Sequence, residues 1–165
     1  KRGHIIGLHP SYDTLTNPAQ LKKEKGDLEQ ATGFPASFGR QHFLRFEAPH
    51  TWQNWEDAGM TQDSSLYFPE APGFRCGTCH AFPVFNFLTQ KKLRLRELPL
   101  TAMEVSWTTY HKSPPQQMLT EMKALLETVR KYQGTFVLLW HNSSFGTPDW
   151  MPYQQVYGQL LEYAR

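Results

Sequence analysis

The sequence predicts an α/β fold with a parallel sheet, on three observations. Segments with strand character alternate with helical segments, the chain of 165 residues has the length of one domain, and its last strand-like segment, residues 135–140, is an unbroken apolar run. A strand that is apolar along its whole length is typically buried on both faces, as parallel strands are. Because ligands of such folds bind beyond the carboxyl ends of the strands, the residues that follow each strand are the first candidates for a functional site.

The chain begins with a strand, a loop and a helix. Residues 4–9 are mostly apolar and end at Pro10, which predicts a buried strand that runs out into a loop. Asn17 followed by proline is a typical helix start, with the asparagine as N-cap and the proline at the first helical position. The spacing predicts a helix over 18–32 that ends at Gly33.

The next part repeats this alternation. Residues 41–46 are predicted to form the second strand, and residues 62–68 a third, more polar at its start. Between them Thr51 can cap a short helix that extends to Ala58 and stops at Gly59.

Residues 69–87 are rich in glycine, proline and cysteine and show no periodicity, so we expect a long loop that covers a site. Polar and apolar residues alternate over 93–98, which predicts another strand, and a polar stretch at 111–115 leads to the clearest amphipathic helix, 116–133. The apolar strand 135–140 follows, and a last helix is predicted over 152–164.

Residues able to bind a metal follow the predicted strands. His9 ends the first strand, Arg45 the second and His141 the last, and Asp13 lies four residues beyond His9 across a turn. Two imidazoles and a carboxylate are a common ligand set for zinc, although a lone histidine after a strand is more often a hydrogen-bonded loop residue than a ligand. Asp63, at the start of a strand, is a further candidate that would orient a neighbouring site residue, or it is ordinary turn chemistry.

A second motif is the short sequence from Cys76 to His80, which has the spacing of a c-type haem attachment site. In that interpretation Cys76 and Cys79 bind the haem through thioether bonds and His80 binds its iron. Met103 is available as the second iron ligand. The other interpretations are a zinc or redox pair, and two cysteines that lie close together by chance.

Composition limits the function classes. The net charge is only +2 and the basic residues are dispersed, so the sequence does not predict a nucleic-acid-binding protein. The basic cluster 91–96 is interpreted as a solvated edge strand. The chain has no apolar run long enough to cross a membrane and its first residues lack the apolar stretch of a signal peptide, which leaves cytoplasm and cell envelope both open.

Several of these segments resemble the polysaccharide deacetylases with a NodB-type domain. Residues 3–13 (GHIIGLHPSYD) are similar to that family's G-H-E-I-G-N-H-T-x-x-H segment, residues 32–46 to its T-G-x-x-P…F-R-x-P stretch, and residues 134–141 (GTFVLLWH) to its late G-x-I-I-L-x-H strand. The strings HPSY, RQHFLRF, GFR and LWHN are more closely similar to a divergent, deacetylase-like bacterial subgroup.

The resemblance implies a distorted (β/α) barrel and a metal-dependent hydrolase that removes N-acetyl or related acyl groups from a glycan. It implies that His9 and Asp13 bind a divalent metal, zinc first and cobalt, manganese or nickel as alternatives. It further implies that His141 is the general acid and that Arg45 orients a carboxylate in the site, and we expect Asp63 to position His141 or to interact with Arg45.

Three departures qualify the resemblance. Asp13 stands where the family has a histidine, Pro49 lies four residues after Arg45 rather than two, and the sequence contains no Asp-Asp pair like the one that supplies the family's catalytic base. We therefore expect residues 1–165 to be a single domain that contains the later strands of an incomplete barrel, with the missing motif upstream of Lys1. The alternative function is a carbohydrate-binding relative without catalysis. The oligomeric state is not predicted.

Overall fold

The computed structural model describes residues 3–165, which fall into two compact units. The first extends to Leu66 and also includes Ala81–Pro99, and the second consists of Tyr67–His80 and Leu100–Arg165. No helix in residues 3–165 combines the length and the apolar character needed to cross a membrane.

The first unit contains a four-stranded sheet with two helices. Its helices are α1 (Pro18–Thr32) and α2 (His50–Asp57), and its strands are β1 (Phe38–Gly39), β2 (Gln62–Asp63), β3 (Phe82–Asn86) and β4 (Lys91–Glu97). The strand order is β1-β2-β4-β3, with β1, β2 and β4 parallel and β3 antiparallel to β4. Leu8 adds a parallel bridge to Gly39 at the β1 side. The core of this unit includes Leu21, Trp55 and Leu95.

The second unit is built on a parallel pair of short strands, β5 (Ala102–Met103) and β6 (Leu138–Leu139). A π-helical turn (Ser106–Tyr110) and helix α3 (Pro115–Lys131) lie between these strands in the sequence, and helix α4 (Gln154–Ala164) ends the chain. The apolar faces of α3 and α4 supply most of its core. The fully or nearly fully buried members are Ala102, Trp107, Met118, Leu119, Met122, Leu126, Val156 and Leu160.

The four predicted helices are all present, because their end signals are local. Asn17 accepts a hydrogen bond from the Gln20 N–H at 3.0 Å, and Gly33 ends α1 with a φ of 71°. Helix α2 begins one residue before the predicted cap, since Pro49 precedes it, and Thr51 lies inside the first turn.

The strands depart from the predictions. The predicted strand 41–46 is wrong: residues His42–Leu44 form a 3₁₀ turn, and the strand lies earlier, at β1. Residues 4–9 contribute only the Leu8 bridge, and the segment 62–68 only β2. The segment 69–87, expected to be a loop throughout, contains strand β3 near its end.

Two burial predictions are also wrong. The basic strand β4 is not at an edge, since it pairs with both β2 and β3. Its arginines and lysines are exposed because exposed and buried residues alternate along the strand. The apolar segment 135–140 is a strand only at β6, where both residues are half-buried. The α/β class is confirmed with a mixed sheet; within residues 3–165 neither sheet closes on itself, and the barrel stays a prediction.

Candidate functional site

In the first unit, ionisable side chains follow neighbouring parallel segments at their carboxyl ends. His9 follows the bridge residue Leu8, Arg40 follows β1, and Asp63 and Glu97 are the last residues of β2 and β4. Parallel strands end at the same edge of a sheet, which is where α/β folds bind ligands. The polar groups of this unit therefore gather at the expected edge.

Asp63 and Glu97 form a buried carboxyl pair, each fully excluded from solvent. The Ser65 hydroxyl donates to Asp63 Oδ1 at 2.5 Å, while the Leu66 N–H and the Trp52 indole N–H donate to the two oxygens of Glu97 at 3.1 and 3.0 Å. Burial raises the pKa of both carboxyls, and the charge of Asp63 raises the pKa of Glu97 further. Glu97 is thus the member that holds the proton, which it can donate to the Asp63 carboxylate.

Arg40 lies beside this carboxyl pair. Its Nε donates to the Ser64 carbonyl at 2.8 Å and its Nη2 donates to the Ser64 hydroxyl at 3.0 Å. Burial lowers the pKa of Arg40, and the charge of Asp63 acts in the opposite direction. Arg40 is not among the residues predicted from the sequence, because the strand is predicted over 41–46 and not before Arg40.

Arg45 contacts Tyr12, not Asp63. Its Nη1 donates to the Tyr12 carbonyl oxygen, and its guanidinium carbon lies 3.8 Å from the centre of the Tyr12 ring. Asp63 instead has Arg40 as its cationic neighbour. The predicted role of Arg45 toward a bound carboxylate stays a prediction.

His9 and Asp13, the predicted metal ligands, lie at the start of the loop that leaves this edge. The Nδ1 of His9 is 2.8 Å from the Arg40 carbonyl oxygen. Since a carbonyl only accepts, Nδ1 carries the hydrogen and Nε2 is the basic nitrogen, an arrangement typical of metal-binding histidines. Asp13 is exposed in the 3₁₀ turn Tyr12–Leu15. In the part of the chain that the structure describes, no three His, Cys, Asp or Glu side chains group to hold a metal.

In the second unit, Glu104 and His141 follow the two parallel strands β5 and β6. Glu104 is fully buried, and its Oε1 lies 2.6 Å from His141 Nδ1 and accepts hydrogen bonds from the His141 N–H at 2.7 Å and the Ser144 hydroxyl at 2.9 Å. The His141 side chain keeps 42% of its surface exposed. A buried carboxylate therefore orients a solvent-facing imidazole. Sequence reasoning missed Glu104, although an acid directly after an apolar segment was the available signal.

The cysteine motif lies in the second unit beside a cavity of about 330 Å³. Cys79 is buried and Cys76 half-buried. His80 Nε2 donates to the Tyr132 carbonyl oxygen at 2.9 Å. The burial of Cys79 disfavours thioether attachment of a haem, because that sulfur would have to face the porphyrin edge.

Comparison with solved structures identifies a similar fold. The chain superposes with a TM-score of 0.67 and 17% identity on a crystal structure described as a "putative polysaccharide deacetylase" from Mycobacterium smegmatis, over 97% of this chain and 56% of that one. The chain thus spans little more than half the length of that protein. No family model and no curated protein matches the sequence. The similarity shows the fold of the chain.

Proposed function

We propose that this chain is a deacetylase-like hydrolase that removes N-acetyl or related acyl groups from a glycan. The observation that carries the proposal is the Glu104–His141 pair, a buried carboxylate 2.6 Å from an exposed imidazole after the carboxyl ends of parallel strands. The fold shared with a protein described as a polysaccharide deacetylase supports the substrate class.

His141 is the proposed general acid. The Glu104 carboxylate can only accept, so the hydrogen lies on Nδ1 of His141 and the proton to be transferred is carried on Nε2. Glu104 also stabilises the imidazolium, which is the form able to protonate a leaving amine. Ser144 and the His141 N–H hold the same carboxylate oxygen and so fix its direction.

Asp63 and Arg40 are proposed as positioning residues of the first unit. Asp63 is completely buried, so it acts on its neighbours and not on a substrate. Its charge beside the Arg40 guanidinium keeps this arginine at the carboxyl edge. Arg45 is proposed to bind the substrate, and its guanidinium is positioned for this by stacking on the Tyr12 ring.

His9 and Asp13 are the proposed ligands of a divalent metal, zinc in the first place and cobalt, manganese or nickel as alternatives. The hydrogen bond from His9 Nδ1 to the Arg40 carbonyl supports this role, because metal-binding histidines typically donate to a carbonyl or carboxylate through the other ring nitrogen. When bound, such a metal polarises an acyl carbonyl and activates water. Metal analysis after dialysis tests the assignment: His9→Ala should lose the metal that the wild type retains, and equal retention would contradict it.

Acetate release from N-acetylated oligosaccharides tests the function. Removal of a general acid typically costs about 10²–10⁴-fold in rate, so His141→Ala should lose most of the activity. Glu104→Gln should lose less than His141→Ala, because it keeps the imidazole but weakens its orientation. The matched control is His111→Ala, a histidine of the same unit whose Nε2 donates to a backbone carbonyl at 2.8 Å. Equal release by His141→Ala and wild type would refute the role of His141.

The second candidate function is glycan binding without hydrolysis. It is favoured by the burial of Asp63, because a carboxyl excluded from solvent cannot act as a base toward a substrate. Oligosaccharide binding without acetate release, in protein supplied with Zn²⁺, would support it. A Soret absorption band in the purified protein would instead support the haem interpretation of the cysteine motif.

A further inference from the structure

A continuous surface of rings and one guanidinium lies beside His9 in the first unit. We call it the aromatic patch, and its members are Tyr12, His42, Phe43 and Arg45. The centre of the His42 ring is 4.7 Å from that of Phe43 and 5.1 Å from that of His9. The Tyr12 ring meets Phe43 edge to face at 5.9 Å, and Arg45 covers Tyr12. The patch therefore connects directly to the carboxyl edge of the sheet.

The Phe43 side chain is more exposed to solvent than is usual for a large apolar ring. It keeps 77% of its surface in solvent, which is unusual for a large apolar ring in the part of the chain that the structure describes. Tyr12 is 52% exposed. Exposed apolar area costs free energy in water, so a clustered and ordered set of exposed rings is typical of a binding surface.

The backbone that presents Phe43 is strained. Phe43 and Leu44 both have a φ of 54°, in the left-handed region that residues with a side chain rarely adopt. Two consecutive residues in this region are unfavourable, and such backbone strain concentrates at functional sites. The Phe43 ring is therefore exposed to solvent by a turn whose backbone conformation is unfavourable.

We propose that the aromatic patch binds one pyranose ring of a glycan chain. The inference rests on the proposed glycan-directed function and adds a binding subsite for a sugar beside His9, the proposed metal ligand of the same unit. The apolar C–H face of a pyranose packs on the exposed Phe43 ring, and its hydroxyls meet the donors at the rim of the patch. Arg45 supplies several of these, since a guanidinium has five N–H groups and only one is committed to the Tyr12 carbonyl.

The size and polarity of the patch favour a sugar over a protein or lipid partner. The exposed Phe43 ring contacts the His42 imidazole and the Tyr12 ring, and the Arg45 guanidinium covers Tyr12. Apolar area and hydrogen-bonding groups therefore lie within the reach of a single pyranose. Lipid surfaces and protein interfaces need a larger apolar area.

Binding of an N-acetylated tetrasaccharide, measured by isothermal titration calorimetry, tests the subsite. Phe43→Gly removes the ring and also relieves the backbone, because glycine adopts a positive φ without a Cβ clash. We expect about tenfold weaker binding with an unfolding midpoint that is unchanged or raised, since an aromatic contact contributes roughly that factor. Phe43→Trp should bind like the wild type. The matched control is Phe34→Ala, 55% exposed in the same unit but outside the patch, which should bind like the wild type.

The outcomes separate this inference from the proposed hydrolysis. Binding that depends on Phe43 without any acetate release would sustain the subsite and refute the hydrolysis. Acetate release with the same KM for the tetrasaccharide in wild type and Phe43→Gly would overturn the subsite and sustain the hydrolysis. Equal binding by Phe43→Gly and wild type, or no binding by either, would overturn the subsite. If Phe43→Gly does not fold, Phe43→Ala is measured against the same criteria.

Discussion

Replacement of Glu97 by glutamine should change how the stability of the protein depends on pH. Burial, together with the neighbouring Asp63, raises the pKa of Glu97 from its ordinary value of 4.5 to about 9. The native state therefore keeps a proton that the unfolded chain releases once the pH exceeds 4.5. Because the native state binds more protons, its stability falls as the pH rises from 4.5 toward 9 and levels off above that value.

The magnitude follows from the linkage of proton binding to folding. One proton difference is worth ~1.4 kcal/mol for each pH unit, so Glu97 contributes at most about 3 kcal/mol of stability loss between pH 5 and pH 7. Since Asp63 shares the proton, we expect a change of about 1–3 kcal/mol. Glutamine has no such proton to lose and still offers an amide hydrogen to Asp63. It keeps only one acceptor for the two donors, Leu66 N–H and Trp52 Nε1–H, so Glu97→Gln should be less stable than the wild type at pH 5.

Urea unfolding between pH 5 and pH 8, followed by tryptophan fluorescence, measures this difference. The free energy of unfolding should fall more steeply with pH in the wild type than in Glu97→Gln, so that the two curves converge or cross. Glu162→Gln is the control: Glu162 is exposed near the end of α4, and the variant should keep the wild-type slope. Parallel curves for wild type and Glu97→Gln would refute the assignment of the stored proton to Glu97.

Three further predictions concern the fold. Asn17→Ala removes the acceptor of the Gln20 N–H and should lower the free energy of unfolding by ~1 kcal/mol in urea titrations, whereas Asn17→Ser should not. Met118→Ala empties a fully buried core position and should cost about 2–5 kcal/mol; a loss below half of that would show that the core of the second unit collapses around the gap. Gly39→Ala should cost at least ~1–3 kcal/mol, because its Cβ would lie 2.8 Å from the Trp55 ring; a thermal midpoint equal to that of the wild type would contradict this packing.

The helices could be predicted from the sequence because their signals are local. Asn17 and Gly33 determine the two ends of α1 through a side-chain cap and a left-handed C-cap. The apolar spacing of α3 corresponds to the residues that it buries, among them Met118 and Met122. Each signal depends on residues within a few positions of one another, so tertiary context did not override it.

The strands were less predictable because most contain two residues, too few for a periodic pattern. Residues 41–46 have the composition of a strand, yet Phe43 and Leu44 turn the chain with a positive φ that neither residue type favours. The strand lies instead at β1, where Gly39 is required because a Cβ there would clash with the Leu8 carbonyl oxygen. That requirement arises from packing against a distant segment, which local composition does not show.

The edge of the sheet at which polar groups gather was more predictable than the groups themselves, because the two depend on different physics. Functional groups follow parallel strands whatever the length of the strand, and this rule led to His9 and His141 although only a bridge and a two-residue strand precede them. The same rule applied to a misplaced strand selected Arg45, whereas the residue after β1 is Arg40. Glu104 follows β5 in the same way, and it was missed because β5 was not predicted. A shift of a few residues in a strand therefore leaves the edge of the sheet in place and changes which side chain is assigned to it.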